Sequence, residues 1–161
     1  RLGRIVGAYY SAFGMRVIGV DDGPFEDDRI EAAESLHALL AQADVVSLHV
    51  PLRETTTGLI GAAELSRMKP EAVLVNTSRG GVLDDEALLS ALRAGTIAGA
   101  ALDVVAGEPE VGRDHPLVRY AAEHDNLIIT PHIGGNTHES FDKTELFIAA
   151  KVLRALERET R

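Results

Sequence analysis

Apolar residues in this chain follow two rhythms that alternate from end to end. One is a short unbroken run, seen at 15–20 (MRVIGV), 44–50 (DVVSLHV), 73–75 (VLV), 99–104 (GAALDV) and 126–130 (NLIIT). Runs of that length read as strands. The other rhythm is a recurrence every three or four residues, the mark of a helix with one apolar face. It begins with Ile5, Val6, Tyr9, Ala12 and Phe13, closed by Gly14, and returns over 31–41 with Leu36, Leu39 and Leu40 inward. It recurs over 60–68, broken by Pro70, over 86–94, ended by Gly95, and briefly around 118–122. A long helix is predicted from about 137 to 159.

Strands that are apolar throughout, rather than on alternate positions, are covered on both faces. That is the signature of a parallel sheet between helices. The expected fold class is therefore α/β with a doubly wound parallel sheet. No internal repeat or linker interrupts it. The expected organisation is one α/β domain over 1–136 and a C-terminal helix over 137–161.

Composition narrows the picture. The 161 residues are 45% hydrophobic and 25% charged, an ordinary globular balance. A formal net charge of −9 and a sequence pI near 5.1 argue against nucleic acid or an anionic membrane surface as partner. The absence of cysteine excludes disulfides, thiolate catalysis and Cys-ligated zinc. No apolar run approaches the roughly 20 residues of a membrane span, and no signal peptide is visible, so a cytoplasmic location is expected. The chain has no initiator methionine and opens on a glycine turn. It is therefore expected to be part of a longer protein.

Chemistry gathers where the strands end. Ligands of an open parallel sheet sit beyond the carboxyl ends of its strands. The run VLV leads through Asn76-Thr77-Ser78 to Arg79, GAALDV runs out towards Glu108, and LIIT is followed by His132. A carboxylate bonded to one imidazole nitrogen fixes the tautomer and favours the protonated ring. The other nitrogen can then give or take a proton near neutral pH. A guanidinium nearby orients a carboxylate and polarises a carbonyl. Those parts suit reduction of a 2-keto acid. At the other end, Gly3 opens the first helix and Asp21 closes the strand at 15–20, 18 residues after Gly3. That spacing matches the latter part of a dinucleotide fingerprint, in which helix-start N–H groups hold pyrophosphate and an acidic residue holds the ribose. Asp21, with Asp22 beside it and Glu26, Asp27 and Asp28 soon after, would repel a 2′-phosphate, which favours NAD over NADP.

The stretches RLGRI, AFGMRVIGVD, ADVVSLHVPL, TTTGLIG, MKPEAVLVNTSRGGVLDDEALLSAL, GAALDVVAGEPE and NLIITPHIGGNT together resemble the nucleotide-binding domain of the D-isomer-specific 2-hydroxyacid dehydrogenases, the family that includes phosphoglycerate dehydrogenases. The resemblance implies a Rossmann fold lacking its first strand and the substrate domain, with Gly3 as the third glycine of the glycine motif. It implies that Arg1, Leu2 and Gly3 meet the pyrophosphate and Asp21 the ribose. His49, Val50 and Pro51 would line the adenosine side. Thr77 and Asp103 would line the nicotinamide side, and Ser78, His132 and Gly134 would also contact the cofactor. Arg79 would bind substrate, Glu108 would pair with His132, and His132 would be the general acid/base. The implied partners are a small 2-hydroxy or 2-keto acid and, in the complete protein, a second copy as homodimer. The terminal helix would cross towards the substrate domain.

Two positions depart from the family's pattern: Arg53, where a threonine often follows the proline loop, and Val105, where an aromatic is common. His37, His115, His124 and His138 are expected to be solvated or locally bonded, and no metal site is expected. An alternative within the same fold is a non-catalytic NAD-sensing module of the corepressor kind. By itself the 161-residue chain is expected to be marginal and inactive, with a gap in its sheet where the first strand would lie.

Overall fold

The structure is a computed structural model in which residues 2–159 are described. Six helices and six strands follow one another as α1 (Leu2–Ala12), β1 (Ile18–Gly19), β2 (Glu31–Ala32), α2 (Leu36–Leu40), β3 (Val45–Leu48), α3 (Ala62–Leu65), β4 (Val73–Asn76), α4 (Asp85–Ala94), β5 (Gly99–Leu102), α5 (Pro116–Ala121), β6 (Leu127–Ile129) and α6 (His138–Glu159). All paired strands are parallel. They form two sets, β1-β2 and β3-β4-β5-β6. The register is regular across the larger set, with Val73 opposite both Val45 and Gly99, and Ala100 opposite Leu127. Among the described residues no backbone ladder joins β1 to β3.

Residues 1–130 form one compact unit and 131–161 a second. The core of the first lies under β3, β4 and β5. Leu40, Ile60, Leu65, Leu74, Leu88, Ile97 and Leu117 are its fully enclosed large side chains. Local chemistry sets the helix ends around it. The Ser35 hydroxyl accepts from Ala38 N (3.1 Å) to start α2, and Asp84 Oδ1 accepts from Ala87 N (3.0 Å) to start α4. Gly95, at φ 67°, ends α4 in the left-handed conformation that glycine adopts without strain.

One expectation needs correction. Residues 31–41 do not form one helix: Glu31–Ala32 is a strand, and the helix begins only at Leu36. Ala33-Glu34 favours helix, but Glu31 N donates to Val17 O (2.9 Å) and Ala33 N to Gly19 O (2.8 Å), so pairing with β1 overrides local propensity. Ser35 then supplies the cap. The apolar stripe of α1 faces outwards. Tyr9 and Phe13 are 64% and 81% exposed, and Gly7 is the buried position. A methyl at Gly7 would lie 2.7 Å from Ile30 Cδ1; this helix packs by its glycine face, where the backbone can come close.

Candidate active site

The turn after β4 is built by one buried side chain. Asn76 is fully enclosed. Its Nδ2 donates to Arg79 O (3.0 Å), and its Oδ1 accepts from Ser78 N (3.0 Å) and Ser78 Oγ (2.8 Å). Its backbone carbonyl accepts from Asp103 N (2.9 Å), continuing the ladder to β5. An asparagine bonding the backbone two residues on is a familiar turn device. Here it leaves Arg79 exposed at the strand end, with Nη1 donating to Ser78 O (2.6 Å). The sequence reading noted Asn76 only as a change to polar residues. The signal for its role was an Asn closing an apolar strand with a Ser two places on.

Beyond β5 the chain stays buried through Asp103, Val104 and Val105. The Thr130 hydroxyl donates to Asp103 Oδ1. A turn follows in which Val105 N donates to Glu108 Oε1 (2.8 Å) and Gly107 takes φ 86°. Ala106 N donates to Asp85 Oδ2 (3.3 Å), at the start of α4. The turns bearing Arg79 and Glu108 meet backbone to backbone. A Cβ placed on Gly80 would stand 2.1 Å from Val105 C and 2.4 Å from Ala106 N. Only glycine permits that approach, and it couples the positions of the guanidinium and the carboxylate.

Past β6, Thr130 N donates to Leu102 O (2.9 Å) and ends the first unit. His132 follows two residues later in the second unit, with φ 52°. A left-handed histidine costs backbone strain, which clusters at functional sites. Gly134 lies in the same exposed stretch.

At the nucleotide end, Gly3 in the first turn of α1 lies against His49, whose Cβ and Cδ2 would be 3.4 Å from an added Cβ. His49 Nε2 is 2.9 Å from Ser47 Oγ, while its Nδ1 is buried without a partner among the described residues. Burial also holds the ring's pKa below the usual histidine value, so it is neutral at pH 7. A neutral imidazole beside a hydroxyl can leave Nδ1 either as donor or as acceptor. Val50 is half-buried and Pro51 exposed; Pro51 O accepts from Thr56 Oγ1 (2.6 Å). Thr56 Oγ1 also accepts from Arg53 N (2.8 Å), so the loop closes with an arginine at that place. Asp21 is exposed just past β1, its Oδ1 accepting from Asp22 N (2.9 Å). Leu2 and Thr77 are exposed, and Arg1 lies outside the described residues. A helix start with no acidic residue in its first turn, an orphaned buried ring nitrogen beside it and a carboxylate past the neighbouring strand suit a ligand bearing phosphates and ribose hydroxyls. These residues fit a dinucleotide.

Three of the other histidines are locally bonded, and His138 is exposed at the start of α6. His37 Nε2 stands 3.2 Å from Glu64 Oε1, and His124 stacks on Tyr120 with ring centroids 3.9 Å apart. His115 Nδ1 accepts from Leu117 N (3.3 Å) to cap α5.

Residues 1–134 match the family model described as "D-isomer specific 2-hydroxyacid dehydrogenase, NAD binding domain". A glycerate dehydrogenase of Methylorubrum extorquens is 39% identical, over 97% of this chain and 50% of its own length. A glyoxylate reductase of Korarchaeum cryptofilum is 40% identical over 95% of the chain and 46% of its own. Among solved structures, an NAD-complexed D-isomer specific 2-hydroxyacid dehydrogenase from Lactobacillus delbrueckii ssp. bulgaricus matches with TM-score 0.86 at 33% identity. That match covers 96% of this chain and 50% of the other. The chain spans about half the length of these relatives.

Proposed function

Because the chain belongs to the D-isomer-specific 2-hydroxyacid dehydrogenase family through its NAD-binding domain, we propose that the protein carrying it interconverts a D-2-hydroxy acid and the corresponding 2-keto acid with NAD. The observation that carries this reading is the contact at Gly80, which ties the turn presenting Arg79 to the turn presenting Glu108.

Arg79, exposed at the end of β4, binds the substrate carboxylate through paired N–H donors and draws density from the neighbouring carbonyl. Glu108 pairs with His132 and stabilises its protonated ring. In reduction His132 gives that proton to the carbonyl oxygen; in oxidation it takes the hydroxyl proton. NAD, when bound, supplies the hydride chemistry. Arg1, with Leu2 and Gly3 at the start of α1, holds the pyrophosphate, Asp21 the ribose, and His49, Val50 and Pro51 the adenosine side. Thr77, Ser78, Asp103 and Gly134 border the nicotinamide. The negative charge of Asp21 and Asp22 favours NAD over its 2′-phosphorylated form.

The same reading makes the intact protein a cytoplasmic homodimer joined through its nucleotide domains, with α6 crossing towards a substrate domain. The outward apolar stripe of Ile5 and Tyr9 on α1, continued by Phe13 just past its end, supports an association surface, since such patches mark contacts.

The test follows NADH formation and loss by the intact protein against D- and L-2-hydroxy acids and 2-keto acids, phosphorylated and not. Turnover confined to D-acids, falling by about 10²–10⁴-fold in His132→Asn, is expected. NAD binding without turnover across the panel would instead point to a sensing module.

A further inference from the structure

Asp85 has no part in the chemistry assigned above, yet it is bonded to the turn that carries Glu108. As the first residue of α4 it could simply face the helix dipole in solvent, as exposed Asp84 and Glu86 do on either side. It does not. Its side chain is only 16% exposed, and Oδ2 reaches across to accept from Ala106 N at 3.3 Å. The same oxygen lies 3.6 Å from His115 Nε2. Because His115 Nδ1 accepts the Leu117 N–H, the proton of the neutral ring sits on Nε2, facing Asp85. Asp85 and His115 line a groove between α4 and α5 with Glu86 and Arg93. Burial pushes the Asp85 carboxyl up from its ordinary value, while the Ala106 N–H and His115 pull it back. A carboxylate kept where water is scarce, when a helix start needs no burial, indicates that its bond to Ala106 matters.

Ala106 is the pivot. Its peptide with Val105 abuts Gly80, next to Arg79, and Val105 N donates to the Glu108 carboxylate. We propose that Asp85 is a positioning residue for Glu108. Through the Ala106 N–H it fixes the 105–108 turn, and so sets where the Glu108 carboxylate stands. The inference rests on the function proposed above for Glu108. Asp85 touches neither substrate nor cofactor.

The test compares Asp85→Ala and Asp85→Asn in the intact protein. The readouts are kcat/KM against pH with a 2-keto acid, the KM for NADH, and amide exchange over 105–108. Asp85→Ala removes the acceptor. It is expected to lower kcat on the order of 10- to 100-fold, to move the histidine limb of the profile to lower pH, and to speed exchange of the turn. Its KM for NADH should stay unchanged. Asp85→Asn keeps an acceptor oxygen and should rescue all three. Wild-type profile and exchange in Asp85→Ala would overturn the proposal, as would Asp85→Asn impaired as deeply as Asp85→Ala. Should Asp85→Ala fail to fold, Asp85→Glu decides: its extra methylene should displace the turn and lower kcat, and an unchanged kcat and profile would sink the idea. If the wild type turns over none of the acids, the functional reading fails. The exchange comparison alone then decides whether Asp85 holds the turn.

Discussion

The two ends of the nucleotide-binding sheet are built to different standards. Beyond β4 and β5, the main-chain polar groups of the turns are met by specific partners: Asn76 for residues 78 and 79, Glu108 for Val105, Asp85 for Ala106. The strands behind them are enclosed, with Leu74 fully buried and Leu102 nearly so. At the other end, β1 and β2 pair over two residues each. Val20 is 40% exposed, and Asp21 bonds only its neighbour's N–H among the described contacts. Among the described residues β1 lies beside the interruption of the sheet, so fewer neighbours cover it. In the proposed mechanism a guanidinium that holds the substrate and a carboxylate that pairs with the acid/base histidine tolerate little misplacement. A ribose can be held by one exposed carboxylate, with the helix start supplying the rest.

The contrast can be broken first at Gly80. Gly80→Val would drive a side chain into the Val105–Ala106 peptide. That should displace both turns, cost about 1–3 kcal/mol or more, and lower kcat/KM on the order of 100-fold. Steady-state kinetics beside a urea melt of the intact protein checks both. A Gly80→Val variant with normal turnover would show that the two turns are not coupled. Next, Leu74→Ala in β4 is expected to cost about 2–5 kcal/mol, against roughly 0.5 kcal/mol or less for Val20→Ala beyond β1. Equal losses by chemical denaturation would erase the distinction between the two ends. Asn76→Ala removes the partner of three turn groups. It should cost about 1–3 kcal/mol and raise the KM for the 2-keto acid more than that for NADH.

The smallest effect is a pH dependence. The folded-state pKa of Asp85 is raised, so the folded protein binds its proton more readily than the unfolded chain does. Its charge therefore costs nothing below the unfolded carboxylate value, and the cost grows as pH rises to the raised folded value. The stability of Asp85→Asn relative to wild type should improve slightly across that window and then level off. A difference that shrinks as pH rises would contradict the assignment.

Much of this was legible in the chain itself. Apolar runs and turn residues located the strands of the larger sheet, and the residues just beyond them included Arg79, Glu108 and His132. The strand β2 was hidden because Glu31-Ala32 carries no apolar run, and its pairing depends on Val17 and Gly19, which are remote in sequence. The outward turn of α1 was hidden for a related reason. Helical periodicity marks an apolar face but not what lies opposite it, and here the close packing is at Gly7. Asn76 and Asp85 escaped because a polar side chain near a strand or helix end has a local explanation until its partner is known.

By itself the amino-acid order determined the α/β class, the parallel direction of the strands, most of the helix caps and the kinds of group available for chemistry, because each depends on residues within a few positions of one another. Only the tertiary structure decided that Gly80 presses on Val105, that Asp85 reaches Ala106 and that His49 keeps a buried, unpartnered nitrogen beside Gly3. Those contacts join segments some 20 to 46 residues apart, and no local pattern encodes which distant backbone a side chain will meet once the sheet has formed.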